Sequence, residues 1–170
     1  EYTKGYTHGY ALALQDVSTS TMGYKAANSD AGLTKVETFS AYYNDINSGY
    51  YGTFTLHYDK SNATYPAWQA ANNYNVNVSG FTNSGWYLPS MGQWWDVCAN
   101  LGSVDLRTKQ ASTTPAGKIY TDGKATTNVN NAIKAAGGTA LDTNDYYWSA
   151  SEYDSGSAVG VYFFSSLVYV

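Results

Sequence analysis

Two stretches of the sequence, GWYLPSMGQWW at residues 85–95 and YWSASEY at residues 147–153, decide most of what can be predicted about the fold. In the first, a proline follows a short apolar segment. Ser90 and Gln93 then have the spacing of a capping box, in which each side chain bonds the backbone amide of the other residue. The apolar residues that follow share one helical face: Met91, Trp94, Trp95 and Cys98. We therefore predict a short buried strand, a proline turn and a capped helix that carries its tryptophans into the core.

The rest of the chain adds helices in the middle and strands at the end. Pro66 fits the first turn of a helix over Ala67, Ala70, Ala71 and Tyr74, and Thr127 could cap a third helix that buries Val129, Ala132, Ile133 and Ala136 and ends at Gly137. Residues 146–170 alternate as strands do, residues 8–17 and 50–58 also read as strands, and residues 47–49 read as a turn. Residues 34–45 fit a helix or a strand equally. Short strands flanking a few helices predict an α+β fold.

Composition restricts the class of protein. A chain of 170 residues that is 44% hydrophobic and 13% charged fits one domain, residues 1–170, and its aromatic content is too high for a disordered chain. The formal charge of −4 argues against a nucleic-acid partner, and the chain has no apolar run that would insert into a membrane. Because the chain begins at Glu1 without a leader, we expect a mature or excised fragment.

The sequence carries no pattern that predicts catalysis, a cofactor or a bound metal. It contains no nucleophile elbow, phosphate loop or zinc helix, and His8 and His57 lack paired ligand spacing. Cys98 lies on an apolar helical stripe, and the pair of Asp142 and Asp145 lies in an Asn/Thr-rich loop that is typical of turns. The stretch DINSG at residues 45–49 has the oxygen-rich start of a calcium loop but lacks the distal bidentate glutamate. We therefore predict a protein that is not an enzyme.

The two opening stretches resemble bacterial C-type-lectin-like domains, which pair G-W-x-L-P-[ST]-x-x-E-[WL] with a later Y-W-S-[SA]-[ST]-E-Y. The family outline then shows A-x-x-V-x-F-x-S, which matches Ala158, Val161, Phe163 and Ser165. The resemblance spans about residues 65–170 and implies a C-type-lectin-like fold on a secreted or cell-surface protein, such as a pilus-like adhesin.

This sequence departs from the family at two places. Gln93 stands where the family has Glu, and the chain stops at Val170 where the family continues into a closing strand. Calcium-dependent sugar-binding lectins of this fold carry E-P-N or Q-P-D and W-N-D signatures, and the sulfatase activators of this fold depend on cysteines; neither pattern is present.

We expect the C-terminal strands to carry a ligand-binding surface, because Tyr with Ser and Asp gives amphipathic contact area at low entropic cost. Alternation that buries Val161 and Phe163 turns Tyr162 and Phe164 outward. Strict alternation would turn Val159, Leu167 and Tyr169 inward. They would face outward only if Gly160 and the Ser165–Ser166 pair interrupt the register. The predicted site is Tyr153, Asp154, Ser157, Val159, Tyr162, Phe164, Leu167 and Tyr169.

The expected function is adhesin-type recognition of a protein or glycan on another cell or surface. Every residue from Tyr153 to Val170 has a codon that ends in a pyrimidine, as in the variable proteins of diversity-generating retroelements, which share the C-type-lectin-like fold. A hypervariable receptor is therefore one form of this hypothesis. The alternative is a pilin or assembly subunit whose open C-terminal edge accepts a strand from a neighbour.

Overall fold

Most of the helices precede the strands along the chain. The computed structural model describes residues 9–17, 32–56, 65–77, 79–80, 82–109, 119–120, 124–155, 157–165 and 167–170, so His8 and His57 lie outside the described residues. The helices are α1 (Phe39–Asn44), α2 (Ser48–Tyr51), α3 (Pro66–Asn73), α4 (Met91–Asn100) and α5 (Lys124–Ala135), with a π-helical turn at Gly52–Leu56 and a 3-10 turn at Leu106–Lys109. The strands are β1 (Ile119–Tyr120), β2 (Tyr146–Glu152), β3 (Ala158–Phe163) and β4 (Val168–Tyr169). The architecture is mixed α and β, which confirms the predicted fold class at that level.

Among the described residues, the strands form one antiparallel sheet in the order β1-β4-β3-β2. The last strand, β4, therefore lies between β1 and β3, with Tyr120 opposite Val168 on one side and Phe163 opposite Val168 on the other. An open edge at the C-terminal strand was expected from the sequence. That expectation is wrong, because β1 occupies this edge.

The helix predicted after Pro89 is confirmed. Ser90 precedes α4 and forms the capping box with Gln93, whose Oε1 accepts a hydrogen bond from the Ser90 backbone N–H at 2.9 Å. The predicted apolar stripe is buried: Met91, Trp94, Trp95 and Cys98. The segment before it, residues 82–90, has no strand, although Leu88 and Ser90 are buried.

The stretches at residues 85–95 and 147–153 meet inside the protein, and Asp45 joins them. The Ala150 N–H donates to the Pro89 carbonyl at 2.7 Å, and the Met91 N–H donates to Ser151 Oγ at 3.0 Å. The Ser151 hydroxyl in turn donates to Asp45 Oδ2, and the Ser90 hydroxyl donates to the Asp45 carbonyl. These residues are therefore the framework that fixes β2 against the start of α4.

The sheet has a core on each face. One face packs on α4 and α5 in the larger apolar cluster, to which β3 and β4 contribute Val159, Val161, Phe163 and Val168. The other face, represented by Ala150 and the half-buried Trp148, packs on the smaller cluster around Trp68 of α3. Glu152 continues this second face and pairs with Lys35, Nζ to Oε2 at 2.6 Å. The β2 half nearest Glu152 is thus covered on both sides.

Two strand predictions are wrong in addition to the short strand predicted before Pro89. Residues 9–17 have no regular secondary structure, and Tyr10 and Leu14 are exposed. The predicted strand over residues 50–58 is instead the end of α2 followed by the π-helical turn, and residues 57–58 lie outside the described residues. The π-helical turn packs closely against α3, since a Cβ atom on Gly52 would lie 2.3 Å from the Trp68 ring. The predicted turn at residues 47–49 lies at the start of α2, and residues 34–45 contain a bridge at Lys35 and then α1.

The other two predicted helices are present with small shifts. Helix α3 has Pro66 in its first turn, as expected, and its largest buried side chain is Trp68, which the predicted stripe did not include. Helix α5 begins at Lys124, three residues before the predicted Thr127 cap. It buries Val129 and Ile133, whereas Ala136 is exposed beyond its end. None of the helices in the described part of the chain has the length and apolarity needed to span a membrane.

Candidate binding surface

Three tyrosines lie directly opposite one another across neighbouring strands. Tyr146 of β2 pairs with Tyr162 of β3, and Tyr162 pairs with Tyr169 of β4. Because directly opposed residues project from the same face of a sheet, these side chains stand side by side. Phe164 follows β3 two residues after Tyr162 and joins them. We call Tyr146, Tyr162, Phe164 and Tyr169 the aromatic row.

The rings of the aromatic row contact one another. The Tyr146 and Tyr162 ring centroids lie 4.9 Å apart in an edge-to-face arrangement, and those of Tyr146 and Tyr169 lie 6.3 Å apart. The Tyr162 and Phe164 centroids are 3.8 Å apart with 36° between the ring planes. Ring pairs of this kind contribute about 0.5–1.5 kcal/mol each beyond the area they bury. The rings therefore form an ordered surface before any partner binds.

The aromatic row is the uncovered end of an otherwise buried sheet face. Tyr146 is 49% exposed and Phe164 is 38% exposed, while Tyr162 and Tyr169 are half-buried. Further along the same face of β2, Ala150 is fully buried under the smaller core cluster. Large apolar groups that face water together are the usual mark of a contact surface.

The surroundings of Tyr146 favour the protonated form of its phenol. Burial, followed by the neighbouring Tyr169 and Tyr162, raises the pKa of Tyr146 above its ordinary value of 10.0. A neutral phenol both donates and accepts a hydrogen bond. The surface thus combines apolar ring area with polar hydroxyl groups and no formal charge.

Three of the predicted site residues lie elsewhere, at the opposite end of the β2–β3 hairpin. The Tyr153 N–H donates to the Ser157 carbonyl at 2.9 Å, and the Asp154 and Ser157 backbones bond each other, which closes the turn. Glu152 lies six positions after Tyr146 along β2, so this turn lies roughly 20 Å from the aromatic row at the usual rise per strand residue. The structure therefore divides the predicted site into two groups.

Val159 does not belong to an exposed site. It is 5% exposed and packs in the larger core with Val161 and Phe163, because strict alternation continues through Gly160. Inward and outward positions alternate along β3 as far as Phe163, and the chain then turns back into β4. That turn carries the half-buried Leu167 and sets Tyr169 on the outer face.

Sequence reasoning missed Tyr146. Its alternation with Trp148 along β2 places both residues on one face, but only the pairing register shows that Tyr146 lies opposite Tyr162. A Cβ atom on Gly160 would make only an ordinary contact with Tyr146 Cδ1, at 3.4 Å, so the glycine gives no sequence signal of the ring.

Cys98 and three aspartates singled out from the sequence make structural contacts. Burial raises the pKa of the Cys98 thiol to about 12, so the sulfur is a protonated core atom. Asp142 and Asp145 accept hydrogen bonds from the Asn144 and Tyr146 backbone N–H groups, as turn residues do. Asp45 accepts from the Ser48 N–H at 3.0 Å. In the part of the chain that the structure describes, no three His, Cys, Asp or Glu side chains group closely enough to hold a metal ion.

Comparisons of this chain with protein-family models, with curated proteins and with solved structures found no match in any of the three.

Proposed function

We propose that this chain is a non-catalytic, adhesin-type binding module with a C-type-lectin-like fold that acts outside the cell or on its surface. In this proposal, the aromatic row binds a protein partner. The observation that carries it is the row itself: tyrosines directly opposed on three neighbouring strands, with Tyr146 and Phe164 exposed and Tyr162 and Tyr169 half-buried between them.

The shape and chemistry of the row favour a protein partner. Side chains on a sheet face form a broad surface rather than a pocket, and they stand on a backbone whose other side is core. Tyr and Phe have few rotatable bonds, so they lose little conformational entropy on binding. Burying such rings at the centre of an interface contributes most of the affinity in many complexes.

The hypervariable form of the proposal is supported by the separation of scaffold and surface along β3 and β4. Val161, Phe163 and Val168 are fully buried, whereas Tyr162 and Phe164 contact other rings of the row. Substitutions at the outer positions would change the surface without creating cavities in the core. A reverse transcriptase gene beside this one, with a near-copy of the codons for residues 153–170, is the expected genomic arrangement. Its absence would remove the retroelement part of the proposal.

The experiment is a binding screen with matched variants. Purified wild-type protein is tested by biolayer interferometry against a panel of purified extracellular protein domains, beside the double variant Tyr146→Ser/Phe164→Ser. The control is Tyr51→Ser, since Tyr51 of α2 is 50% exposed and lies outside the row. Loss of a central interface aromatic costs about 2 kcal/mol, so two losses that add cost about 4 kcal/mol. We therefore expect binding to weaken by about 1,000-fold in the double variant and to stay unchanged in the control.

Two results contradict the proposal. One is that every panel member that binds the wild type also binds the double variant. The other is a partner whose affinity falls equally in the Tyr51→Ser control, which would place the contact away from the row.

A further inference from the structure

A cleft separate from the aromatic row lies where α3 ends. It is formed by the last residues of α3 and the two after them, by the segment at residues 83–86, and by one ring of the π-helical turn. Its volume is about 550 Å³, within the range of roughly 300–1,000 Å³ that small-molecule sites occupy. Its lining residues are Phe54, Asn72, Asn73, Tyr74, Asn75, Asn83, Gly85 and Trp86.

The lining consists of aromatic rings and primary amides. Among the described residues that line the cleft, none is Asp, Glu, Lys, Arg or His. An ionic ligand that entered the cleft would therefore lose its hydration and gain no charged partner, which is unfavourable. Each asparagine amide both donates and accepts hydrogen bonds. A neutral ligand with one apolar face and an edge of hydroxyl groups matches both halves of the lining.

The aromatic half of the cleft is held in place by its own contacts. The Trp86 indole N–H donates to the Val76 carbonyl at 2.8 Å, and the Tyr74 and Trp86 rings meet edge to face at 5.1 Å and 82°. The backbone at Gly85 has φ +99, and a Cβ atom there would lie 2.7 Å from the Phe54 ring. Glycine thus lets Phe54 close against the backbone. Rings fixed in this way lose little freedom when a ligand binds.

The amide half faces solvent. Asn73 and Asn75 are exposed on either side of Tyr74, and Asn83 is exposed across the cleft, where its Oδ1 accepts the Gly85 N–H at 3.0 Å. An exposed amide beside a fixed ring can bond the hydroxyl groups of a ligand.

We propose that this cleft binds a neutral pyranose sugar without a metal ion. The C–H face of the ring lies against Trp86, because polarised C–H groups are attracted to the negative face of an aromatic ring. The hydroxyl groups bond the amide of Asn75. This site is independent of the aromatic row, so a sugar and a protein partner would occupy different places on the molecule.

The test follows the indole N–H signal of Trp86 in ¹H–¹⁵N NMR spectra during titration with methyl glycosides of glucose, galactose, mannose and N-acetylglucosamine, in buffer containing EDTA. We expect at least one glycoside to shift this signal with a millimolar dissociation constant. In isothermal titration calorimetry, Trp86→Phe should weaken binding at least fivefold, and Asn75→Ala should weaken it at least threefold.

Matched variants separate the cleft from general effects. Asn77→Ala changes an exposed amide two residues away that does not line the cleft, and it should bind as the wild type does. Phe164→Ser should also retain sugar binding. The proposal is overturned if no glycoside shifts the Trp86 signal, if Asn77→Ala loses binding as Asn75→Ala does, or if a short peptide shifts the signal when the sugars do not.

Discussion

The ion pair between Lys35 and Glu152 holds the segment before α1 against the end of β2. The Glu152 side chain is 0% exposed and the Lys35 side chain 25% exposed, with 2.6 Å between Nζ and Oε2. The Val36 N–H also donates to the Glu152 carbonyl at 2.8 Å. Replacement of Lys35 by Met leaves a carboxylate in the interior without this cation. Removing one partner of a buried pair costs about 3–5 kcal/mol. Because Lys35 is a quarter exposed, water can reach the site, and we expect a loss of about 2–4 kcal/mol.

A double-mutant cycle isolates this interaction. Wild type, Lys35→Met, Glu152→Gln and the double variant are unfolded in urea, and the free energy of unfolding is compared at constant m value. Glu152→Gln keeps the shape of the side chain and removes its charge, so the double variant should be more stable than the sum of the single losses predicts, by about 2 kcal/mol. Additive losses, or a cost below about 0.5 kcal/mol for Lys35→Met, would refute the reasoning, since that is the range of an exposed pair.

Three other predictions test the orientation of side chains and the state of buried groups. Val159→Ser should lower the free energy of unfolding by about 2–3 kcal/mol, because it opens the core and buries a hydroxyl. Phe164→Ser should lower it by only about 1 kcal/mol, and equal losses in urea unfolding would contradict the burial of Val159. The Cys98 thiol should react with a disulfide reagent at pH 8 only when urea unfolds the protein, since it is fully buried and its pKa is raised to about 12; rapid reaction of the native protein would show that the sulfur is accessible. Burial raises the pKa of Asp16, so the folded state holds the carboxyl proton more tightly than the unfolded state does. The contribution of Asp16 to stability therefore falls as pH rises through the window that begins near its ordinary pKa of 3.8. Relative to the wild type, Asp16→Asn should therefore gain stability as pH rises through that window, and a constant difference across the window would contradict the shift.

The parts of the fold that depend on local chemistry were predictable. Helix α4 follows from the spacing of Ser90, Gln93 and the tryptophans, because capping and helical periodicity act within one turn. The end of α5 is equally local: Gly137 has φ +84, and the Gly138 N–H bonds the Ile133 carbonyl, which closes the helix.

The parts that depend on distant contacts were not predictable. Residues 50–58 alternate like a strand, yet residues 50–56 are helical, and Gly52 lies so close to the Trp68 ring that a Cβ atom there would not fit. Long-range packing overrides local strand preference here.

The candidate site shows the same division between local and distant information. Alternation correctly placed Phe163 inside and Phe164 outside, because both lie on one short segment. The pairing of Tyr146 with Tyr162 depends on register between strands, and the position of Tyr169 depends on the turn after Phe163. A single sequence does not fix either register.

Accessibility of two adjacent rings tests the aromatic surface most directly. In a protein with labelled phenylalanine rings, a soluble gadolinium chelate broadens the NMR signals of rings that water can reach. Phe164 is 38% exposed and Phe163 is 0% exposed, so the Phe164 ring should broaden strongly while the Phe163 ring stays sharp. A sharp Phe164 signal beside a broadened Phe163 signal would reverse the face assignment and remove the basis for a binding surface on this sheet.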